Sequence, residues 1–276
     1  MTNVALIGGG RMGSALLGGL LDGGWDPDAV SVAEVDPERR RALEQEFPKV
    51  RVVPSPAWAV ADADVVIVAV KPGDVAASLE AAETSLRPET LVLSIAAGVT
   101  IAALEALVPG RPVVRAMPNT PALVGLGASA IAPGRHAADN HLQLATRLLG
   151  AVGIVVTVGE PALDAVTGLS GSGPAYIFLV IEALSDAGVK VGLARQQSQE
   201  LAAQTVLGSA KLLIETGEHP GRLKDQVTSP GGTAIAGLHT LEAGGLRTTL
   251  MNAVVAATKR SRELGKKFLE AREDED

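Results

Sequence analysis

Gly8, Gly10 and Gly13 stand in the run VALIGGGRMGSALLGGLL as G-x-G-x-x-G, between a short apolar stretch and a helical one. Glycines at that spacing allow a tight turn and a close approach of backbone N–H groups at a helix start to a pyrophosphate. Glu34 follows about 20 residues later, at the end of the next apolar stretch, where a carboxylate bonds adenosine ribose hydroxyls and repels a 2′-phosphate. Arg39, Arg40 and Arg41 come next. They either accept such a phosphate or form an exposed helix face, so NADH, favoured by Glu34, and NADPH both stay open.

Two further runs lie where a nicotinamide would sit. AVKPGDV places Ala69, Val70, Lys71 and Pro72 at the carboxyl end of the apolar run DVVIVAV, and ligands of open α/β sheets bind beyond strand carboxyl ends. Lys71 there is a contact to cofactor or substrate, a catalytic acid, or a solvated charge. SIAAGVTI sets Ala96 and Ala97 at a comparable strand end, where small side chains admit a flat ring. A third run is unrelated to these: VTSPGGTAIAGL, from Val227 to Leu238, puts a serine, a proline and two glycines before a small-residue helix. The unpaired N–H groups of such a helix start are a ready site for an anion such as a carboxylate.

The elements that must hold these runs follow from the apolar pattern. VALI, VSVAEV, RVV, DVVIVAV, LVLSIA, PVVRAM, ASAIA and GIVVTV alternate with helical segments, which predicts a largely parallel sheet covered by helices. After Gly159-Glu160-Pro161 the strands stop, and Ala, Leu and Gly recur at helical spacing. The expectation is an α/β fold: a Rossmann-type dinucleotide-binding domain over residues 1–160, then an all-α domain over residues 161–276. In GSGPAYIFLVIEALSDAG, Ser172 can cap and Pro174 suits a first helical turn, and the helix is apolar on every face except Glu182. A helix apolar all round must be buried, and burial against a second chain, through residues 165–265, is the simpler account.

Composition narrows the function. The chain has 276 residues, 47% of them hydrophobic, enough for a sizeable core in one or two domains. It has no cysteine, which excludes disulfides, thiolate nucleophiles and cysteine-ligated zinc, and its four histidines show no HxxxH or HExxH spacing, so no metal is expected. A net charge of −7, and only two Trp, one Tyr and three Phe without a basic stripe, argue against nucleic acid. The terminal AREDED reads as a solvated tail. The N-terminus enters a strand without a basic leader, and no apolar run is long enough to span a membrane, so a cytoplasmic protein is expected.

The segments VVRAMPNTPALVGLGASAI, LDAVTGLSGSGPAYIFLVIEALSDAGVKVGL and HPGRLKDQVTSPGGTAIAGLHTLEAGGLR resemble the pyrroline-5-carboxylate reductase family, and the similarity runs from Val4 to about Leu264. The resemblance implies NAD(P)H-dependent reduction of the cyclic imine 1-pyrroline-5-carboxylate to L-proline. It implies a Rossmann domain, a helical domain that interlocks in a homodimer, and often a ring of dimers. It places the substrate carboxylate on Ser229 and on the backbone of Gly231, Gly232 and Thr233. It also implies a cofactor set of Ile7, Gly8, Gly10, Arg11, Met12, Gly13, Glu34, Val35, Ala69, Val70, Lys71, Pro72, Ile95, Ala96, Ala97, Asn119 and Gln226. The family's turn commonly reads GGTT or GGAT, with a threonine hydroxyl in reach of the imine nitrogen. Here it reads GGTA, so Thr233 keeps a hydroxyl and Ala234, at the position of the family's usual threonine, has none.

Two other functions share features with this sequence. A β-hydroxyacid dehydrogenase would have the same glycine loop and a helical second domain, but it needs a proton-transferring lysine on the helix from Pro174 to Asp186, which has none. A non-catalytic dinucleotide sensor would keep the fold without the chemistry, and Ala234 is the feature that favours it.

Overall fold

The computed structural model describes residues 2–273, with side chains described to Gly265, so the acidic run at the C-terminus lies outside the described side chains. Two compact units are present: residues up to Ser172 together with those from Ala256 on, and residues Gly173–Val255.

The first unit holds one eight-stranded sheet. Its strands are β1 (Val4–Ile7), β2 (Val30–Ala33), β3 (Arg51–Val53), β4 (Val65–Val68), β5 (Leu91–Ser94), β6 (Val113–Met117), β7 (Gly127–Pro133) and β8 (Gly153–Thr157). Their order is β3-β2-β1-β4-β5-β6-β7-β8, all parallel except the antiparallel β6–β7 pair. Each expected apolar run became one strand. The order reverses between β1 and β4, which opens a crevice beyond the strand carboxyl ends.

Side-chain alternation splits the core in two. Val4 and Leu6 of β1 face a layer with α1 (Arg11–Asp22) and α6 (Asp139–Gly150), through Leu16, Leu17, Leu20, Leu148 and Leu149. Ala5 and Ile7 face the other layer, with α3 (Pro56–Val60), α4 (Val75–Glu83) and α5 (Ile101–Leu107), through Val60, Leu79 and Leu104. Strands covered on both faces are apolar at every position, which is why β1 and β4 read as unbroken runs. A further helix, α2 (Pro37–Glu46), begins at Asp36, whose side chain accepts from Glu38 N–H.

Strands end where the sequence indicates, but the first compact unit does not. Glu160 Oε1 accepts from the Ile101 N–H at 2.7 Å, at the start of α5, and from Arg115 Nη1 at 3.0 Å, in the middle of β6. The chain then continues through α7 (Leu163–Val166) and a π turn (Thr167–Gly171), closed by Ser172 N–H on the Thr167 carbonyl at 2.8 Å. Directly after Ser172 the helix α8 (Gly173–Lys190) begins, with Pro174 in its first turn as expected; Ser172 itself has helical φ and ψ and follows the π turn. Asn119 explains the position of the π turn, because its Nδ2 donates to the Ser170 carbonyl at 3.1 Å while its Oδ1 accepts from Ala128 N–H at 2.8 Å.

The second unit is helical, as expected: α8, α9 (Arg195–Thr216), α10 (Pro220–Gln226), α11 (Thr233–Ala243) and the beginning of α12 (Leu246–Glu273). The helices α8 and α9 pack tightly, since a Cβ on Gly188 would lie 2.0 Å from Ser198 Oγ, and that hydroxyl donates to the Ser185 carbonyl at 2.6 Å. Nearer the start of α8, Phe178 and Leu179 are about two-thirds exposed in the single chain.

Glu160→Ala leaves the Arg115 guanidinium, only 8% exposed, without its carboxylate. Breaking such a pair costs about 2–3 kcal/mol where one partner is partly solvated. The urea midpoint, read at fixed protein concentration, drops accordingly for Ala and by less for Glu160→Gln. Equal midpoints for all three proteins would mean that the pair does not anchor this segment.

Candidate active site

The crevice between β1 and β4 is a cavity of about 640 Å³ lined by Ile7, Gly8, Gly10, Glu34, Val35, Ala69, Val70 and Lys71, together with Asp36, Arg39 and Asp74 among others. Its floor is the turn from β1 to α1. Gly8 has φ +102°, and a Cβ there would lie 2.8 Å from the Ala69 carbonyl oxygen. At Gly13 a Cβ would lie 2.2 Å from the Gly8 carbonyl oxygen, so α1 rests directly on the strand end. Gly10 differs: a Cβ there meets nothing within 4 Å, so the chain itself gives no steric reason for glycine. Gly10 is the N-cap of α1, without a side-chain cap and without an acidic residue in the first turn. An open glycine at an uncapped helix start fits an approaching anion, and a dinucleotide pyrophosphate matches it.

Glu34 stands just past β2. Its Oε2 accepts from Gly9 N–H at 2.9 Å and its Oε1 from Asp36 N–H at 3.0 Å, so the carboxylate is fixed at the edge of the cavity. The arginines after it do not form one exposed face. Arg39 donates to the Gly9 carbonyl at 2.6 Å and to Ser14 Oγ at 2.6 Å. Arg40 donates to the carbonyls of Glu34 at 2.9 Å and Val35 at 2.8 Å, which leaves Arg41 as the exposed one.

The remaining residues expected at the cofactor do not line this cavity. Arg11 lines a separate cavity of about 800 Å³, over the outer face of α1, with Ser14, Arg39 and Phe47. Met12 and Ile95 pack against the core, and Ala96 is buried within it. Pro72 and Ala97 line a third cavity, about 460 Å³, with Gly98, Thr167, Ser172 and residues of α12. Asn119 is 9% exposed and acts on Ala128 and Ser170 rather than on an open cavity. Gln226 is exposed at the end of α10, in the second unit.

The second uncapped glycine-led helix start is the turn before α11. Gly231 has φ +67°, which favours glycine, and Gly232 N–H donates to the Ser229 carbonyl at 3.0 Å. A Cβ on Gly232 would lie 2.3 Å from Ser229 Oγ, so that hydroxyl sits directly against the helix entry. Gly232 is an N-cap without a side-chain cap, and no acidic residue occupies the first turn. Thr233 is exposed and Ala234 half-buried at the first two helical positions. Among the described residues, no group of three or more His, Cys, Asp or Glu is placed to hold a metal, and no helix is long and apolar enough to cross a membrane.

Residues 160–264 match the family model for pyrroline-5-carboxylate reductase dimerisation, and residues 3–98 match that for NADP oxidoreductase, coenzyme F420-dependent. The pyrroline-5-carboxylate reductase of Methanosarcina acetivorans is 47% identical, covering 96% of this chain and 98% of its own. The structure of the Coxiella burnetii pyrroline-5-carboxylate reductase superposes with a TM-score of 0.91 at 36% identity, covering 95% of this chain and 98% of that one. The Plasmodium falciparum pyrroline carboxylate reductase, solved with NADP bound, gives a TM-score of 0.84 at 31% identity over 96% of this chain and 98% of its own. A glycine cleft, a helical second unit and end-to-end similarity to these enzymes thus agree, and the chain belongs to the pyrroline-5-carboxylate reductase family of oxidoreductases.

Proposed function

We propose that this chain reduces 1-pyrroline-5-carboxylate to L-proline, with a nicotinamide dinucleotide in the β1–β4 crevice and the substrate carboxylate on the turn before α11. The observation that carries this reading is the near-full-length similarity, at almost half identity, to the Methanosarcina reductase. When bound, the reduced nicotinamide supplies the hydride for the imine carbon. The chain's own groups bind and orient. Gly8, Gly10 and the start of α1 receive the pyrophosphate, Glu34 the ribose, and Ala69, Val70 and Lys71 the far end. Pro72 and Ala97 adjoin the nicotinamide in this reading. Ser229 and the N–H groups of Gly231, Gly232 and Thr233 hold the carboxylate, which fixes the ring's orientation. Oxidation of NADH or NADPH dependent on added pyrroline-5-carboxylate tests the assignment, and binding without turnover would favour the sensor instead.

The same reading makes the protein a cytoplasmic homodimer. The exposed apolar residues Phe178, Leu179, Met251 and Val255 of the helical unit need a cover, and a second copy supplies one. A ring of dimers rests on the resemblance alone.

Cofactor choice turns on Glu34. Its fixed carboxylate disfavours a 2′-phosphate, and Arg39 and Arg40 are held on backbone carbonyls. NADH therefore competes with NADPH. Glu34→Ser raises NADPH use relative to NADH, read as the ratio of the two kcat/KM values, and an unchanged ratio would place the ribose elsewhere.

Gly232→Val tests the carboxylate turn. A branched side chain displaces the Ser229 hydroxyl and turns the helix-start N–H groups away from the substrate. The KM for the imine rises about 10-fold or more, as expected for a lost charge-assisted bond, while dinucleotide affinity is unchanged. An unchanged imine KM would move the anion site.

Ala234 leaves the imine nitrogen without the family's usual hydroxyl. Loss of a general acid typically costs about 10²–10⁴ in rate. Cyclic imines are themselves bases and can enter protonated, and a water in the space of the absent hydroxyl can bridge the nitrogen to Thr233. Turnover then falls as pH rises, because it depends on the protonated substrate. Ala234→Thr raises turnover and flattens the profile. A wild-type profile already flat to alkaline pH, with no gain in the threonine variant, would assign the proton to another group.

A further inference from the structure

The glycine loop is gripped from both sides by residues that follow β2. Gly9 N–H donates to Glu34 Oε2 at 2.9 Å, and the Gly9 carbonyl accepts from Arg39 Nε at 2.6 Å and from Ser14 Oγ at 3.1 Å. Arg39 Nη2 also donates to Ser14 Oγ at 2.6 Å, which closes the network onto the first turn of α1. Helix α2 lies flush against this loop, since a Cβ on Gly9 would come within 2.3 Å of the buried Leu43 Cδ1.

The carbonyl held by Arg39 belongs to the same peptide unit as the Gly10 N–H. A cation on the carbonyl oxygen draws electron density from that unit and makes its N–H a stronger donor. Gly10 is the open N-cap of α1, and no acidic side chain in the first turn competes for the helix start.

We infer that Arg39 is a positioning residue for the dinucleotide pyrophosphate, acting through the Gly9 carbonyl, and not the receptor of a 2′-phosphate. The inference rests on the proposed dinucleotide occupancy of this crevice. The two roles separate cleanly, because a phosphate receptor serves NADPH alone, whereas a loop clamp serves every ligand that carries the pyrophosphate. Lysine cannot reproduce the clamp fully, as its single ammonium lacks the planar fork that reaches Gly9 and Ser14 together.

The experiment is calorimetric titration of the full chain with NADH, NADPH and ADP-ribose, for wild type, Arg39→Gln, Arg39→Lys and Ser14→Ala. Arg39→Gln raises all three dissociation constants by a common factor of about ten, the scale of one charge-assisted hydrogen bond. Arg39→Lys recovers part of the loss. The loss appears in the dinucleotide KM far more than in kcat, a split that general loss of structure would not give. Ser14→Ala moves all three affinities in the same direction, and it decides the matter if Arg39→Gln does not fold. A loss confined to NADPH, or unchanged affinities, would overturn the clamp. Failure of the wild type to bind any of the three would overturn the reading of the crevice and the clamp with it.

Discussion

The contact between the end of β1 and the start of α1 constrains everything around it. With a Cβ on Gly13 placed 2.2 Å from the Gly8 carbonyl, and one on Gly8 2.8 Å from that of Ala69, strand, helix and the β4 end meet through backbone alone. No side chain could be inserted without separating them. Because they touch, the crevice has a fixed floor, and the uncapped N-terminus of α1 faces the point where the strand order reverses. The core layers on either side then have only to keep these three elements in register, which the buried Leu6, Leu16 and Ile67 do on one face and Ile7, Val66 and Leu79 on the other.

The two helix starts are held in different ways. The turn before α11 is self-contained: Gly231 in the left-handed region and the Gly232 N–H on the Ser229 carbonyl shape it within a few residues. Its geometry is written locally, in SPGG. The start of α1 depends instead on residues from β2 and α2, because Glu34 and Arg39 fix the peptides on either side of Gly9. A mobile anion-binding turn would lose orientational advantage for the reaction, since effective molarity depends on narrow placement of the reacting atoms.

This difference also explains what the sequence made legible. All eight strands, the glycine loop and the SPGG turn were visible, because each is specified by adjacent residues: unbroken apolar runs, glycine spacing and turn chemistry. Arg39 was visible only as one of three consecutive arginines. Nothing local says that its guanidinium reaches back to Gly9 and Ser14 while Arg41 faces solvent. That the Asn119 amide joins Ala128 to Ser170 is likewise not written locally, because it requires knowing where β7 and the π turn lie. The expected division at Glu160 correctly marked the end of the strands. It could not reveal that Glu160 is tied back to α5 and β6, nor that the first compact unit takes in residues from Ala256 on.

The distribution of titratable groups agrees with a reaction that asks for orientation more than for acids and bases. A carboxyl held below its usual range is that of Asp64: burial alone would raise it, but the Asn3 N–H and the Arg87 guanidinium more than offset that. Asp64 immediately precedes β4, at the amino end of the sheet, opposite the crevice. Its partners at 2.8 and 2.6 Å join the chain's first strand to the segment before β5, which is a structural task. At the carboxyl ends of β1 and β4 the crevice is lined by Gly8, Gly10, Ala69 and Val70, with the charged Glu34, Asp36, Arg39, Lys71 and Asp74 around them. Small residues at a strand end leave room for a flat ring, and a hydride transfer in which the cofactor carries the chemistry asks the protein chiefly for orientation.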